Sequence, residues 1–244
     1  MNSIQRRVLF TVTLALVAAV AQPVPDWATS IPYERMAPLN GYLVASHQAE
    51  IDLARSAAPP AISLHATVLV LSHRGYETAE TGTNGFTCLV ERSWMSPFDS
   101  PEFWNWKMRG PICYNPPASR TVLIYTLRRT DLVLSGLNKS QILDRIKTAV
   151  ANRQLPTPEP GSMSYMMSKS GDLGDGIGPW MSHLMFYAPK ADGAKDGASW
   201  GADLPASPVI FDNSRRVVPE PETIFMVPVA HWSDGHPAPL SSAG

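Results

Sequence analysis

Three histidines and one aspartate are the side chains best suited to metal chemistry. His183 opens an apolar stretch, and His231 and His236 flank Trp232-Ser233-Asp234-Gly235. Neutral imidazoles with a carboxylate ligate zinc and other divalent ions, and a metal lowers the pKa of its bound water enough to make a nucleophile near neutral pH. His183, His231, Asp234 and His236 are therefore the candidate ligands of a divalent metal, and with it of a metal-dependent hydrolase. The spacing itself is not diagnostic. No HExxH occurs, and two histidines five positions apart around Asp-Gly equally describe exposed turn residues.

The loop Gly171-Asp172-Leu173-Gly174-Asp175-Gly176-Ile177-Gly178 is the second candidate. A dinucleotide fingerprint needs a strand before it and a helix after it, whereas Pro179-Trp180 leads towards another strand. No GK[ST] follows, which excludes a P-loop, and the D-x-[DN]-x-[DN]-G spacing of a calcium loop is absent. A glycine-rich hairpin loop accounts for the pattern. Its functional alternative is a lid over a pocket, with Trp180, His183, Asp172 and Asp175 as ligand-binding residues.

Nucleophilic catalysis has little support, since neither GxSxG nor SxxK is present. Glu77, Glu80, Glu91 and Glu102 could pair as in glycosidases, but that chemistry is defined by separation in space, and single glutamates are ordinarily surface charges. Trp94, Phe98, Phe103, Trp104 and Trp106 gather in one segment, and Met163, Met166, Met167, Met181 and Met185 in another. Such clusters either fill a core or line a ligand or partner surface. The expected function is therefore a non-catalytic protein that binds a small molecule or an extracytoplasmic protein partner, with the metal-dependent hydrolase as the alternative.

The compartment is read from the N-terminus. Arg6 and Arg7 precede an uncharged run, Val8 to Val20, that ends in the small-x-small site Ala19-Val20-Ala21. An uncharged run of about 13 residues is too short to span a bilayer as a helix, so residues 1–21 read as a cleaved signal peptide rather than an anchor. No later stretch is long and apolar enough to be a transmembrane anchor. The chain is expected in the periplasm or secreted. The leader holds two of the 20 basic residues and none of the 21 acidic ones, so the remainder is mildly acidic and lacks the basic footprint of nucleic-acid binding. An oxidising compartment also favours joining the two cysteines, Cys88 and Cys113, in a disulfide bond.

The elements that must position these groups follow from periodicity and punctuation. Residues 22–41 form an extended proline-rich lead-in, and Tyr42 to Arg55 carries the spacing of an amphipathic helix. Ala66–Leu71, Tyr76–Thr81 and Phe86–Trp94 read as three strands joined by tight turns at Ser72-His73-Arg74-Gly75 and Asn84-Gly85, an antiparallel meander. Pro97–Pro117 reads as a loop stapled by Cys113. A helix is expected over 118–135, between Pro116-Pro117 and Gly136, although Val122 to Tyr125 would also suit a strand. Asn138 and Gln141 form the capping box of a further helix, with Leu137 and Ile142 as its hydrophobic staple. Strands are expected at 162–169, 183–188, 209–211 and 223–229, and a polar surface loop at 190–204. The sum is a single α+β domain over residues 42–236, a largely antiparallel sheet with two or three helices packed mainly on one face, and a disordered tail at 237–244. Expressed with its leader in a secreting host, the purified chain should begin at Gln22, which N-terminal sequencing checks.

Overall fold

The computed structural model describes residues 33–172, 181–191, 193–213 and 216–239. The expected signal peptide lies outside them, as do Asp175 and Trp180 and the glycine-rich loop from Leu173 onward. Among the described residues, eight strands form one mostly antiparallel sheet: β1 (Thr67–Ser72), β2 (Gly75–Glu80), β3 (Thr87–Glu91), β4 (Gly110–Tyr114), β5 (Met163–Met166), β6 (His183–Pro189), β7 (Ile210–Phe211) and β8 (Glu222–Pro228), in the spatial order β2-β1-β3-β4-β5-β6-β8-β7. The helices are α1 (His47–Arg55), α2 (Pro60–Ser63), α3 (Pro116–Arg120), α4 (Leu123–Leu134), α5 (Lys139–Ala151) and α6 (Gly193–Trp200). The α+β class follows directly from this architecture.

Local chemistry sets most boundaries. Ser46 caps α1 by accepting from the Ala49 amide at 3.2 Å, and Pro60 opens α2 where a missing N–H costs nothing. The capping box of α5 is present as expected, with Asn138 and Gln141 each accepting from the other's backbone amide at 3.0 Å. The helix expected over 118–135 is divided between α3 and α4 at Thr121, whose φ of −125° and ψ of −69° leave the helical region.

The meander is corrected. β1 and β2 form the expected antiparallel hairpin, but β3 lies on the opposite side of β1 and runs parallel to it. The reason lies in residues 82–86. Gly82 passes so close to the start of β1 that a Cβ there would sit 2.2 Å from the Ala66 carbonyl carbon. The amides of Thr83 and Asn84 donate to the His65 carbonyl, and Asn84 Nδ2 donates to the Ile62 carbonyl at 2.8 Å. Asn84-Gly85 therefore carries the chain across the foot of β1 instead of reversing it beside β2.

Two further elements differ from expectation. Residues 110–114 were expected in a wrapping loop but form the buried strand β4, whose Cys113 lies directly opposite Cys88 of β3. The disulfide thus joins neighbouring strands inside the sheet. Residues 193–200, expected in a surface loop, form α6, and Trp200 stacks on Phe225 with ring centroids 4.2 Å apart. Pro237 and Ala238, at the start of the expected tail, pair with His231 and Ala230.

The sheet is covered on both faces rather than mainly on one. Alternation sends Val68, Val70, Cys88, Val90 and Cys113 to one side, where α1 packs through Ile51 and Ala54. Leu69, Leu71, Leu89, Ile112 and Tyr114 point to the other, against α4 and α5. Because the disulfide closes a separation of 25 residues, chain-entropy arguments assign it about 3 kcal/mol. The double variant Cys88→Ala, Cys113→Ala should lose about 2–4 kcal/mol in urea unfolding.

Candidate functional site

The face carrying α4 and α5 holds a cavity of about 90 Å³. Period-2 alternation selects its floor: Glu91 from β3, Ile112 and Tyr114 from β4, Met185 and Tyr187 from β6, and Glu222 and Ile224 from β8. Helix α4 supplies the opposite wall through Tyr125, Thr126 and Arg129, and Asp212, Val218 and Glu220 close one side. Four carboxylates and one guanidinium thus meet in a space lined otherwise by tyrosine, methionine and aliphatic side chains.

The arginine of this lining is largely engaged. Arg129 Nε and Nη2 donate to the two oxygens of Glu220 at 2.6 and 2.7 Å, and Nη1 donates to the carbonyls of Trp94 at 3.0 Å and Ser96 at 2.8 Å. Both partners of this pair are buried. One face of the guanidinium lies over Phe98, 4.4 Å from the ring centroid. Glu91 Oε1 accepts from Tyr114 Oη at 2.6 Å and from Thr126 Oγ1 at 2.8 Å. Tyr125 donates to the Pro156 carbonyl, and Tyr187 Oη shares a hydrogen bond with Ser164 at 2.8 Å. Glu222 differs from all of these. It is 6% exposed, and its Oε2 finds no hydrogen-bond partner among the described residues.

Burial raises the pKa of all three remaining acids. Glu222 is pushed furthest, well above the carboxylate range, because burial is joined by repulsion from Glu220, Glu91 and Asp212, which the attraction of Arg129 only partly offsets. Glu91 is raised by burial against the opposing hydrogen bonds from Tyr114 and Thr126. Asp212 is raised by burial against the opposing charge of Arg216. Burial also drives the phenols of Tyr114 and Tyr187 well above their ordinary value.

The residues singled out from sequence lie elsewhere. His183 is buried on β6, its Nδ1 bonded to the Met181 carbonyl at 2.8 Å, and burial lowers its pKa. His236 Nδ1 lies 3.0 Å from Asp234, whose other oxygen is held by Lys169 at 2.5 Å. These contacts, with the His236 amide, keep the Asp234 carboxyl below the usual range. His231 is exposed and serves through its carbonyl, which accepts from Ser182 at 2.6 Å. Asp234 and His236 are thus brought together, and among the described residues no group of three or more His, Cys, Asp or Glu side chains is arranged to hold a metal ion. Asp172 exchanges backbone hydrogen bonds with Arg109, both 2.8 Å.

The aromatic cluster Trp94, Phe98, Phe103 and Trp104 is core, while Trp106 is exposed. Of the four glutamates expected at the surface, Glu77 and Glu80 pair there with Arg74 and Arg55. Glu102 is buried against Asn105 at 2.5 Å, and Glu91 faces the cavity. Glu91 and Glu222 carried a legible signal. Each shares the sheet face of apolar neighbours two residues away, Leu89 and Ile224, so alternation alone directs it inward.

No family model, curated protein or solved structure matches the chain.

Raised carboxyl pKa values mean that the folded chain binds more protons than the unfolded chain above the ordinary values of 4.5 for Glu and 3.8 for Asp. Stability contributed by Glu222, Glu91 and Asp212 is therefore lost as pH rises from that range towards the raised values. His183 acts in the opposite sense, since its lowered pKa favours the folded state as pH rises towards 6.5. Comparing variant with wild type isolates one group. Glu222→Gln should melt above wild type at about pH 8, and the gap should close towards about pH 4.5, as followed by circular dichroism.

Proposed function

We propose that this is an exported, non-catalytic protein that binds a small ligand in the cavity between the sheet and α4. Glu222 carries the reading: a buried carboxylate with an unsatisfied oxygen, facing a cavity, is costly unless something else completes its hydrogen bonding. The volume of about 90 Å³ suits a small molecule or one end of a larger one, being well below the ~300 Å³ at which drug-sized pockets begin. The setting favours holding over turnover. Tyr114 and Thr126 hydroxyls are spent on Glu91, Tyr125 on a carbonyl and Arg129 on Glu220.

Export is supported by the leader pattern, a charged pair followed by a short apolar run and Ala19-Val20-Ala21, and by the disulfide. The same features support a periplasmic or secreted location.

The test is a thermal-shift panel of small amines, polyols and short-chain acids on wild type and on Val218→Trp, which fills one side of the cavity. A true ligand at about 100 times its Kd should raise the wild-type Tm by about 5 °C or more and leave the variant unmoved. Silence across all three classes overturns the binding role, and conversion of a bound compound to product overturns its non-catalytic character.

A further inference from the structure

Taking the ligand-binding role above as its basis, we propose that the ligand presents a small primary ammonium group to the Glu222 carboxyl, in the cavity that Glu222, Glu91 and Asp212 line. The first argument is charge. Four acids line the cavity, and among them Arg129 is hydrogen-bonded to Glu220 alone, with four of its five N–H groups engaged by that carboxylate and the carbonyls of Trp94 and Ser96, so that its charge offsets Glu222 and Glu91 only in part. Three carboxyls are left without a cation lining the cavity. Each stays neutral by holding a proton or becomes ionised against a cation supplied from outside.

The second argument concerns donors. The hydroxyls of Tyr114 and Thr126 are directed at Glu91, Tyr125 at the Pro156 carbonyl, and Tyr187 is paired with Ser164. With its carboxyls ionised the cavity offers acceptors and few free donors, an arrangement hostile to a carboxylate or phosphate and suited to an –NH₃⁺ with its three donors. The Oε2 atom of Glu222 is the acceptor already in place and unoccupied by any described residue. The third argument is the lining. Aromatic rings of Tyr114, Tyr125 and Tyr187 and the thioethers of Met95 and Met185 surround the acids, and aromatic faces attract cations. The volume of about 90 Å³ admits a methylammonium-sized head.

The charge balance makes binding a proton exchange. As the ammonium enters, the carboxyls of Glu222 and Glu91 release protons to solvent, so the cavity keeps nearly the same net charge. The other groups facing them are Asp212 and Glu220 beside β8, Arg129 from α4, Arg216 acting on Asp212, and the phenols of Tyr114, Tyr125 and Tyr187. The phenols, raised by burial, stay neutral across the range tested, which leaves the carboxyls as the exchanging groups.

Isothermal titration of the full chain with methylammonium chloride tests this, with acetamide and sodium acetate as neutral and anionic probes of similar size. Ionic strength is matched with sodium chloride, and titrations are run at about pH 8 and about pH 5. Methylammonium should bind at pH 8 with proton release, seen as a dependence of the heat on the buffer, and acetamide and acetate should not. Its affinity should fall by about tenfold or more at pH 5 and in Glu222→Gln, and by a smaller factor in Glu91→Gln. Should Glu222→Gln fail to fold, the two wild-type titrations and Glu91→Gln still decide the matter. Acetamide or acetate binding as tightly as methylammonium overturns the ammonium assignment and leaves the binding role standing. Methylammonium binding that is indifferent to both variants and to pH overturns it too, as does the absence of binding by every probe. In that last case the binding role falls only if the wider thermal-shift panel is also silent.

Discussion

Arg129 ties the molecule together. Its guanidinium reaches from α4 to Glu220, 91 residues further along the chain, and to the carbonyls of the turn at 94–96. A helix, the turn after β3 and the segment leading into β8 are thus fixed around one buried charge. Removing one member of such a pair typically costs about 3–5 kcal/mol, because the other is left buried and uncompensated. The same contact determines the electrostatics of the cavity. A cation paired with Glu220 offsets only part of the rise at Glu222 and Glu91, and burial still raises both, as it raises Asp212.

A comparable arrangement secures the opposite face. Glu50 of α1 accepts from the Leu71 amide at 3.0 Å and from Arg92 at 2.8 Å, and Arg92 also donates to the Tyr42 carbonyl at 2.7 Å. These buried pairs differ from the cavity acids in being closed: Arg92 and Arg129 meet carbonyls as well as a carboxylate. The Glu50–Arg92 pair beneath α1 is completed by the Leu71 amide and the Tyr42 carbonyl, whereas Glu222 on the α4 side leaves an acceptor over. That asymmetry separates a closed ion pair from a cavity acid with an open acceptor.

Features governed by nearby residues were legible in the sequence. The hairpin at 72–75, the capping box of α5 and the pairing of Cys88 with Cys113 each depend on short-range chemistry or on the presence of just two cysteines. What was hidden depends on distant partners. Asn84-Gly85 has the composition of a hairpin turn, yet its direction is set by hydrogen bonds to Ile62 and His65, some 20 residues earlier. Strand β4 is masked by its Gly110-Pro111 start, and α6 by two glycines in eight residues. The histidines drew attention because imidazole has an obvious chemistry, although His183 is held by its own segment and His231 acts through its backbone. The cavity acids come from β3, from the β7 end and from β8, so only folding brings them together. Their inward direction could be read one residue at a time from alternation, but their assembly could not.

The position of β8 has a consequence for the order in which the protein becomes complete. The last strand among the described residues, β8, is not at the edge of the sheet but lies between β6 and β7. It brings Glu222 and Ile224 with it, and Glu220 immediately precedes it. A nascent chain that has emerged only as far as β7, or one clipped just after it, therefore lacks both the charge that anchors α4 and the acceptor that faces the cavity. The cavity's set of acids is therefore complete only once β8 has been made and has taken its place between β6 and β7.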